Sequence, residues 1–271
     1  MTRYPFDFSD KVVFVAGGTS GINLGIAEGF AKAGATLAVL GRSQDKIDKA
    51  IEKLRAHGGR VSGFAADVRD TDRLTEVFTQ THEALGLIDV LVSGAAGNFP
   101  AAANEMSANA FKAVVDIDLL GTFNVLRYSY QYLRKPGANI INISAPQSFI
   151  PMEMQAHVCA AKAGVDMITR TTAMEWGPEG IRVNSLVPGP IQGTEGMKRL
   201  APQGSEAERM VIESVPMRRQ GIVEDLASAA LFVASDMASY ITGAVIPVDG
   251  GWGLGGAGQL GSTLVELVKK N

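Results

Sequence analysis

Val12-Val13-Phe14-Val15-Ala16-Gly17-Gly18-Thr19-Ser20-Gly21-Ile22-Asn23-Leu24-Gly25 decides the fold. Five apolar residues run straight into a glycine-rich turn, and a helical pattern, Ile26 to Ala33, follows. A strand with no polar alternation is buried on both faces, as in a parallel sheet covered by helices. Glycines at a strand–helix turn let backbone N–H groups approach a pyrophosphate, and the helix N-terminus favours its negative charge. The glycines alone leave a plain structural turn open. Their place directly after the first strand favours a nucleotide, with Gly17, Thr19, Ser20, Gly21 and Ile22 as cofactor-binding positions.

Outward from this stretch the same rhythm repeats. Short apolar runs at 36–40, 61–65, 88–92, 138–143, 182–186 and 244–248 read as further strands, and amphipathic segments such as Asp45 to Ala56 and Thr71 to Leu85 fall between them. The expectation is an α/β protein: a doubly wound Rossmann fold with a central parallel sheet of about seven strands flanked by helices. No Pro/Ser-rich stretch, charge block or repeat divides the chain, so residues 1–271 read as a single domain. Residues 190–220, rich in Gly, Met and Arg, interrupt the rhythm before a helix beginning near Val223. The tail, 254–271, either frays or packs on a neighbouring subunit.

Composition narrows the function. Lys plus Arg is 25 and Asp plus Glu is 28, a net charge of −3, which argues against a nucleic-acid partner. Hydrophobic residues at 46% against 20% charged exclude global disorder. No apolar run reaches the roughly 18–20 residues that cross a bilayer, so no membrane partner is expected. One cysteine, Cys159, excludes an intrachain disulfide and Cys-rich zinc sites, and no metal is expected. The first seven residues lack a secretory apolar core and Lys269-Lys270-Asn271 is not a Ser-Lys-Leu address, so a cytoplasmic location is expected.

The second strand ends at Leu40-Gly41-Arg42-Ser43. An acidic residue here would accept from the ribose 2′-OH of NAD; an Arg accommodates a 2′-phosphate. Arg42, with Ser43, therefore predicts NADP(H), and Gly41 removes a competing side chain; a solvated surface Arg is the alternative. After the third strand, Asp67 is placed to accept the adenine amino group and Val68 to pack on its ring. After the fourth, Gly94 and Ala95 let the chain pass close under a flat cofactor.

These motifs, in this order at these strand ends, resemble those of the short-chain dehydrogenase/reductase family over about residues 10–253. The family's glycine motif corresponds to Gly17-x3-Gly21-x-Asn23, its Asn-Ala-Gly motif to Gly94-Ala95-Ala96-Gly97, and its motif after the sixth strand to Pro188-Gly189-Pro190-Ile191. The resemblance implies that Pro188, Gly189, Ile191 and Thr194 lie against the cofactor. Two departures stand out: Asn23 replaces the usual third glycine, and Gly94 replaces the usual asparagine.

The family's Tyr-x-x-x-Lys motif keeps only its lysine, Lys162; the tyrosine position holds Val158. Ser144 stands at the serine position and Asp118 at the asparagine position. Carbonyl reduction needs an acid at the oxygen that receives charge, and a phenol beside a lysine suits that need. Conjugate reduction instead needs hydrogen-bond donors at a remote thioester oxygen. The chain is similar to one branch of the family, the peroxisomal type of 2,4-dienoyl-CoA reductases. The likeness lies in Ala95-Ala96-Gly97-Asn98-Phe99-Pro100, Val115-Asp116-Ile117-Asp118 and Pro188 to Gly196. It implies NADPH-dependent reduction of a dienoyl-CoA in fatty-acid β-oxidation. Asp118 and Lys162 would orient a protonating water, and Lys162 would also bind the nicotinamide ribose. Asn98 would donate to the thioester oxygen, Phe99 would contact the substrate, and Ser144 would assist or shape the pocket. It further implies that 190–220 forms a lid, with Lys198, Arg199, Arg209, Arg218 and Arg219 facing CoA phosphates or solvent. The assembly would be a homotetramer. A short-chain carbonyl reductase and a catalytically silent NADP-binding protein remain as alternatives.

Other residues are expected to be bland. His157 should point away from the site, and Cys159 should be a small buried thiol. Tyr128, Tyr130 and Tyr132, on a helix from Ala108 to Arg134, should lie at a subunit interface or the surface. Met152 and Met154 line an acyl pocket or pack in the core.

Overall fold

Strand β1 (Val12–Ala16) is wholly buried, as its unbroken apolar run requires. The computed structural model describes residues 6–256, in which β1 is an interior strand, third of seven across the sheet. The others are β2 (Thr36–Gly41), β3 (Val61–Ala65), β4 (Val90–Ser93), β5 (Asn139–Ile143), β6 (Arg182–Pro188) and β7 (Val245–Val248). Their order is β3-β2-β1-β4-β5-β6-β7, with every pair parallel. The order reverses between β1 and β4, and a crevice opens there beyond the strands' carboxyl ends.

Successive strand residues feed two cores, since side chains alternate across a sheet. Val13, Val15, Leu37, Val39 and Val92 pack with Ile26, Phe30 and Leu231 on one face. Phe14, Ala16, Leu40 and Leu91 pack with Leu74, Phe78 and Leu126 on the other. The edge strands β3 and β7 are only half-buried, contrary to the expectation of burial on both faces. An edge strand has a neighbour on one side alone, and Pro247 sits in β7 where a missing N–H costs little.

The helices are α1 (Gly21–Lys32), α2 (Gln44–Arg55), α3 (Thr71–Leu85), α4 (Ala108–Val114), α5 (Gly121–Ser129), α6 (Ala156–Trp176), α7 (Glu195–Leu200), α8 (Glu206–Ser214) and α9 (Val223–Ala234). Three differ from expectation. Helix α1 begins at Gly21, not Ile26, so the end of the glycine stretch is already its first turn. The helix expected from Ala108 to Arg134 is broken: α4 passes into a π-helical stretch, Val115–Leu120, before α5, and a short 3-10 turn ends it at Tyr132. The 190–220 stretch carries α7 and α8, which pack Met197, Val211 and Val215 with Met152 and Trp252 in a small separate cluster. Met152 therefore packs beneath this segment. The tail's residues 257–271 lie outside the described residues.

Helices α1 and α9 cross at glycines. A Cβ added at Gly29 would stand 2.7 Å from the Ala227 Cβ. Helix propensity alone favours alanine over glycine by about 1 kcal/mol, whereas overpacking a core costs about 1–3 kcal/mol. The clash is the larger effect, so Gly29→Ala should lower the unfolding free energy. Gly177→Ala, where a Cβ meets nothing within 4 Å, should leave it unchanged or raise it. Denaturant melts of the two variants decide this; a stabilised Gly29→Ala would show that the helices separate freely.

Candidate active site

The crevice is built from glycines and open helix ends. Gly17 and Gly21 have φ of 77° and 55°, a region side chains disfavour. A Cβ at Gly17 would stand 2.9 Å from the Ala95 nitrogen, so the turn lies against the chain leaving β4. A Cβ at Gly21 would meet only Thr194, at 4.0 Å, which leaves open space before the turn and brings Thr194 beside it. Ser20 starts α1 without a side-chain cap, and no acid occupies the first turn. Ser43 and Gln155 likewise leave α2 and α6 without side-chain caps. Asp70, Ser107, Thr194 and Ser205, by contrast, cap α3, α4, α7 and α8. Uncapped amides at α1 suit an anion, and the glycine cradle before them fits a dinucleotide's pyrophosphate.

Around this cradle the other expected cofactor positions fall at strand ends. Arg42 and Ser43 are exposed after β2. Gly41 serves the packing: a Cβ there would meet the Thr19 side chain at 2.7 Å. Asp67 is engaged by Arg69, whose backbone nitrogen, Nε and Nη2 donate at 3.0, 2.9 and 2.7 Å. This hydrogen bonding to Arg69 holds the Asp67 carboxyl below the ordinary range. Val68 is buried beneath α5, and a Cβ at Gly121 would stand 2.4 Å from its Cγ2. Gly189 passes so close to Asp249 that a Cβ would meet its Cα at 2.7 Å, while Pro188 and Ile191 are buried beside it. A cavity of about 520 Å³ lies beyond β6 and β7 against Gly189, Ile191, Met217 and Gly250. Lys162 and Asp118 do not line it.

The chemistry-bearing groups meet at one buried ion pair. Lys162 Nζ lies 3.3 Å from Asp118 Oδ2, with side-chain exposures of 7% and 1%. Lys162 also donates to the Ile143 carbonyl at 3.1 Å. The other Asp118 oxygen accepts from the Gly97 N–H at 2.7 Å. Asp118 reaches this place from the π-helical stretch, where the wider turn shifts which residues face inward. By fixing Gly97 it holds the loop that carries Asn98 and Phe99. Asn98 is exposed, and its amide lies 3.5 Å from Gln155 Oε1, which itself accepts from Gln147 at 2.9 Å. Ser144 is buried, with no partner for its hydroxyl among the described residues.

Val158 is buried at 4% exposure and has no proton to give. The helix tyrosines do not replace it. Tyr132 hydrogen-bonds Thr79 at 2.8 Å, and Tyr130 bonds Glu179 and stacks on Trp176. Both lie at the opposite end of the sheet, partly buried, with their hydroxyls engaged within the chain. Tyr128 lies ten residues beyond Asp118, about 15 Å along a helix. His157 departs from expectation: it is fully buried, and its ring meets Phe99 at 4.6 Å between centroids. Cys159 is partly buried, its sulfur facing the Met152 carbonyl.

The lid's cations are mostly engaged. Lys198 pairs with Glu195, Arg219 with Asp225, and Arg218 donates to the Glu213 carbonyl. Arg209 is exposed and makes no salt bridge among the described residues.

Sequence reading missed Gln147 and Gln155, which bracket Asn98; no motif marks them. No described helix is long and apolar enough to cross a membrane, and no described group of His, Cys, Asp or Glu is arranged to hold a metal.

The family model described as Enoyl-(Acyl carrier protein) reductase matches residues 16–253. A Mus musculus protein named peroxisomal 2,4-dienoyl-CoA reductase [(3E)-enoyl-CoA-producing] is 45% identical, covering 89% of this chain and 83% of its own. A Bacillus subtilis protein named probable 2,4-dienoyl-CoA reductase [(2E)-enoyl-CoA-producing] is 36% identical, covering 89% and 96%. The crystal structure of a Bacillus anthracis short chain dehydrogenase superposes with a TM-score of 0.80 at 37% identity, covering 90% of this chain and 97% of that one. With seven parallel strands in one sheet and relatives matched along nearly its whole length, the chain belongs to the short-chain dehydrogenase/reductase family of oxidoreductases.

Proposed function

We propose that the protein is an NADPH-dependent reductase of conjugated acyl-CoA thioesters, of the 2,4-dienoyl-CoA type. The observation that carries this reading is the buried Asp118–Lys162 pair beside an aliphatic Val158. The names of the relatives from Mus musculus and Bacillus subtilis agree with it. The nicotinamide, when bound, supplies the hydride. Gly17, Thr19, Ser20, Gly21 and Ile22 would hold the pyrophosphate and Arg42 with Ser43 the 2′-phosphate. Asp67 and Val68 would meet the adenine, and Gly94, Ala95, Pro188, Gly189, Ile191 and Thr194 would frame the rest.

An ammonium has three donors. Lys162 directs one to Ile143 and one toward Asp118, which leaves one for the site. With the Asp118 carboxylate it can hold a water as the proton source for the substrate carbon. Asn98 would donate to the thioester oxygen as charge develops there. Phe99 would meet the acyl chain, and the unpartnered Ser144 hydroxyl would shape the pocket or assist. In the same reading the whole chain acts as one domain, with 190–220 as a lid over the substrate and Arg209 free to meet a CoA phosphate. Apolar side chains exposed on the outer faces of the π-helical stretch, α5 and α6 (Leu120, Phe123, Met167 and Met174) suit a homotetramer. A cytoplasmic setting for β-oxidation completes the proposal, although the Mus musculus relative carries a peroxisomal name.

The test is NADPH oxidation with 2,4-hexadienoyl-CoA beside a panel of simple ketones. Turnover of the dienoyl thioester and little of the ketones is expected; preference for ketones would sink the proposal. Tight NADPH binding without turnover of either would instead favour a silent binder.

Lys162→Ala should reduce kcat by about 10³-fold or more, since it removes both the charge and a positioned donor. Asp118→Asn keeps an acceptor for Gly97 but leaves the lysine charge unpaired, and should cost about 10²-fold. Near-normal turnover by Lys162→Ala in a stopped-flow assay would refute the assignment.

Arg42→Ala should weaken NADPH by about 10–100-fold, the worth of a charge-assisted contact, with NADH unchanged. Equal losses for both cofactors in a binding titration would show that Arg42 is only a surface charge.

A further inference from the structure

The two departures from the family motifs touch each other. Asn23, in the first turn of α1, is 8% exposed, and its Nδ2 donates to the Gly94 carbonyl at 2.7 Å. A Cβ at Gly94 would stand 2.3 Å from Asn23 Oδ1 and 2.6 Å from its Cγ. Contacts that short do not occur, so a side chain at 94 and the amide at 23 exclude one another. Gly94 is not among the glycines with positive φ, so its backbone would admit any residue. The three atoms nearest to that Cβ all belong to the Asn23 amide. The same amide lies 3.2 Å from where a Cβ on Gly17 would be, and Ala95 closes on that point from the other side at 2.9 Å. Two candidate cofactor positions, Gly17 and Gly94, thus meet one side chain, with Ala95 against Gly17.

Asn23 Oδ1 is buried without a partner. An amide kept for stability alone would be satisfied at both ends, because an orphaned buried acceptor is costly. Glycines also leave the turn conformationally loose unless something ties it down. We propose that Asn23 is a positioning residue for the dinucleotide. Its clamp on Gly94 sets the spacing between the glycine turn and the end of β4, and it supplies from α1 the amide that position 94 lacks. The inference rests on the NADPH reading above.

The reciprocal swap tests it. NADPH dissociation constants from fluorescence titration, and melting temperatures without cofactor, are measured for the wild type, Asn23→Gly, Gly94→Asn and the double variant. Asn23→Gly should weaken NADPH about tenfold, the worth of one buried hydrogen bond. Gly94→Asn alone should weaken it further, because two amides then compete for one space. The double variant should return to within about threefold of wild type by restoring a single amide at the other position. Should Gly94→Asn fail to fold, Asn23→Ala reads the same loss without adding bulk at 94. A double variant that binds no better than Asn23→Gly overturns the proposal. So does a set of variants that melt earlier but bind NADPH as the wild type does. A wild type that does not bind NADPH overturns the cofactor reading itself, and this inference with it.

Discussion

Everything in the crevice is arranged around one buried ion pair. Lys162 comes from α6, Asp118 from the π-helical stretch, the Ile143 carbonyl from the end of β5 and the Gly97 N–H from the chain after β4. Four segments distant in sequence are tied at one point. Removing two charges from water costs several kcal/mol for each ion, and apolar substitutes of the same size often serve stability as well or better. The cores on both faces of the sheet show that this chain fills space with Val, Leu, Ile and Phe wherever packing alone is required. In the proposed reading, a lysine and an aspartate buried together at the ligand edge are kept for chemistry and not for packing.

The carboxyl edge of the sheet is also shaped by what is left out. Gly17 lies against Ala95, Gly41 against Thr19, Gly121 against Val68 and Gly189 against Asp249, each too close for a Cβ. These contacts follow a line across the strand ends. At Gly17 and Gly189 backbone approaches backbone, while at Gly41 and Gly121 the Thr19 and Val68 side chains fill the space a Cβ would take. The same edge keeps the first turns of α1, α2 and α6 without side-chain caps, while α3, α4, α7 and α8 are capped. Helices α3 and α7 also start at this edge, after β3 and β6, so α1, α2 and α6 differ in that their opening amides lack a side-chain acceptor.

Much of this was legible from residue order. Short runs rich in apolar residues marked all seven strands, as a parallel sheet covered by helices requires, although polar residues interrupt β5 and β6 and the edge strands β3 and β7 are only half-buried. The residues of α3 and the start of α9 were readable from local pattern and caps. Lys162 and Asp118 stood out by their motif positions. What sequence did not disclose depends on contacts between distant segments. The break after Val114 is a change in backbone pitch that propensity does not encode, yet it aims Asp118 inward. His157 reads as a helix residue pointing away from the site until Phe99, from the loop after β4, meets its ring. Arg69 is two residues from Asp67, but only the turn geometry brings its guanidinium back onto the carboxylate. Asn23 and Gly94 each look like an isolated loss; their contact at 2.7 Å makes them one feature.

The charge at position 118 and the aliphatic side chain at position 158 belong together for the same reason. In the pattern this family resembles, a lysine acidifies a phenol one helical turn away, and the residue at the 118 position is a neutral amide. Here Val158 precedes Lys162 by four residues, one turn, and offers nothing to acidify. The carboxylate of Asp118, at 3.3 Å, is the counter-charge to Lys162 within an almost closed site. Asp118 is also fixed by Gly97, so the counter-charge is positioned by the same loop that carries Asn98. Loss of the phenol and gain of the acid are thus two halves of one electrostatic change. In the proposed reading it moves the proton source from a side chain to a water that both charges would hold, and leaves stabilisation of the distant oxygen to the loop.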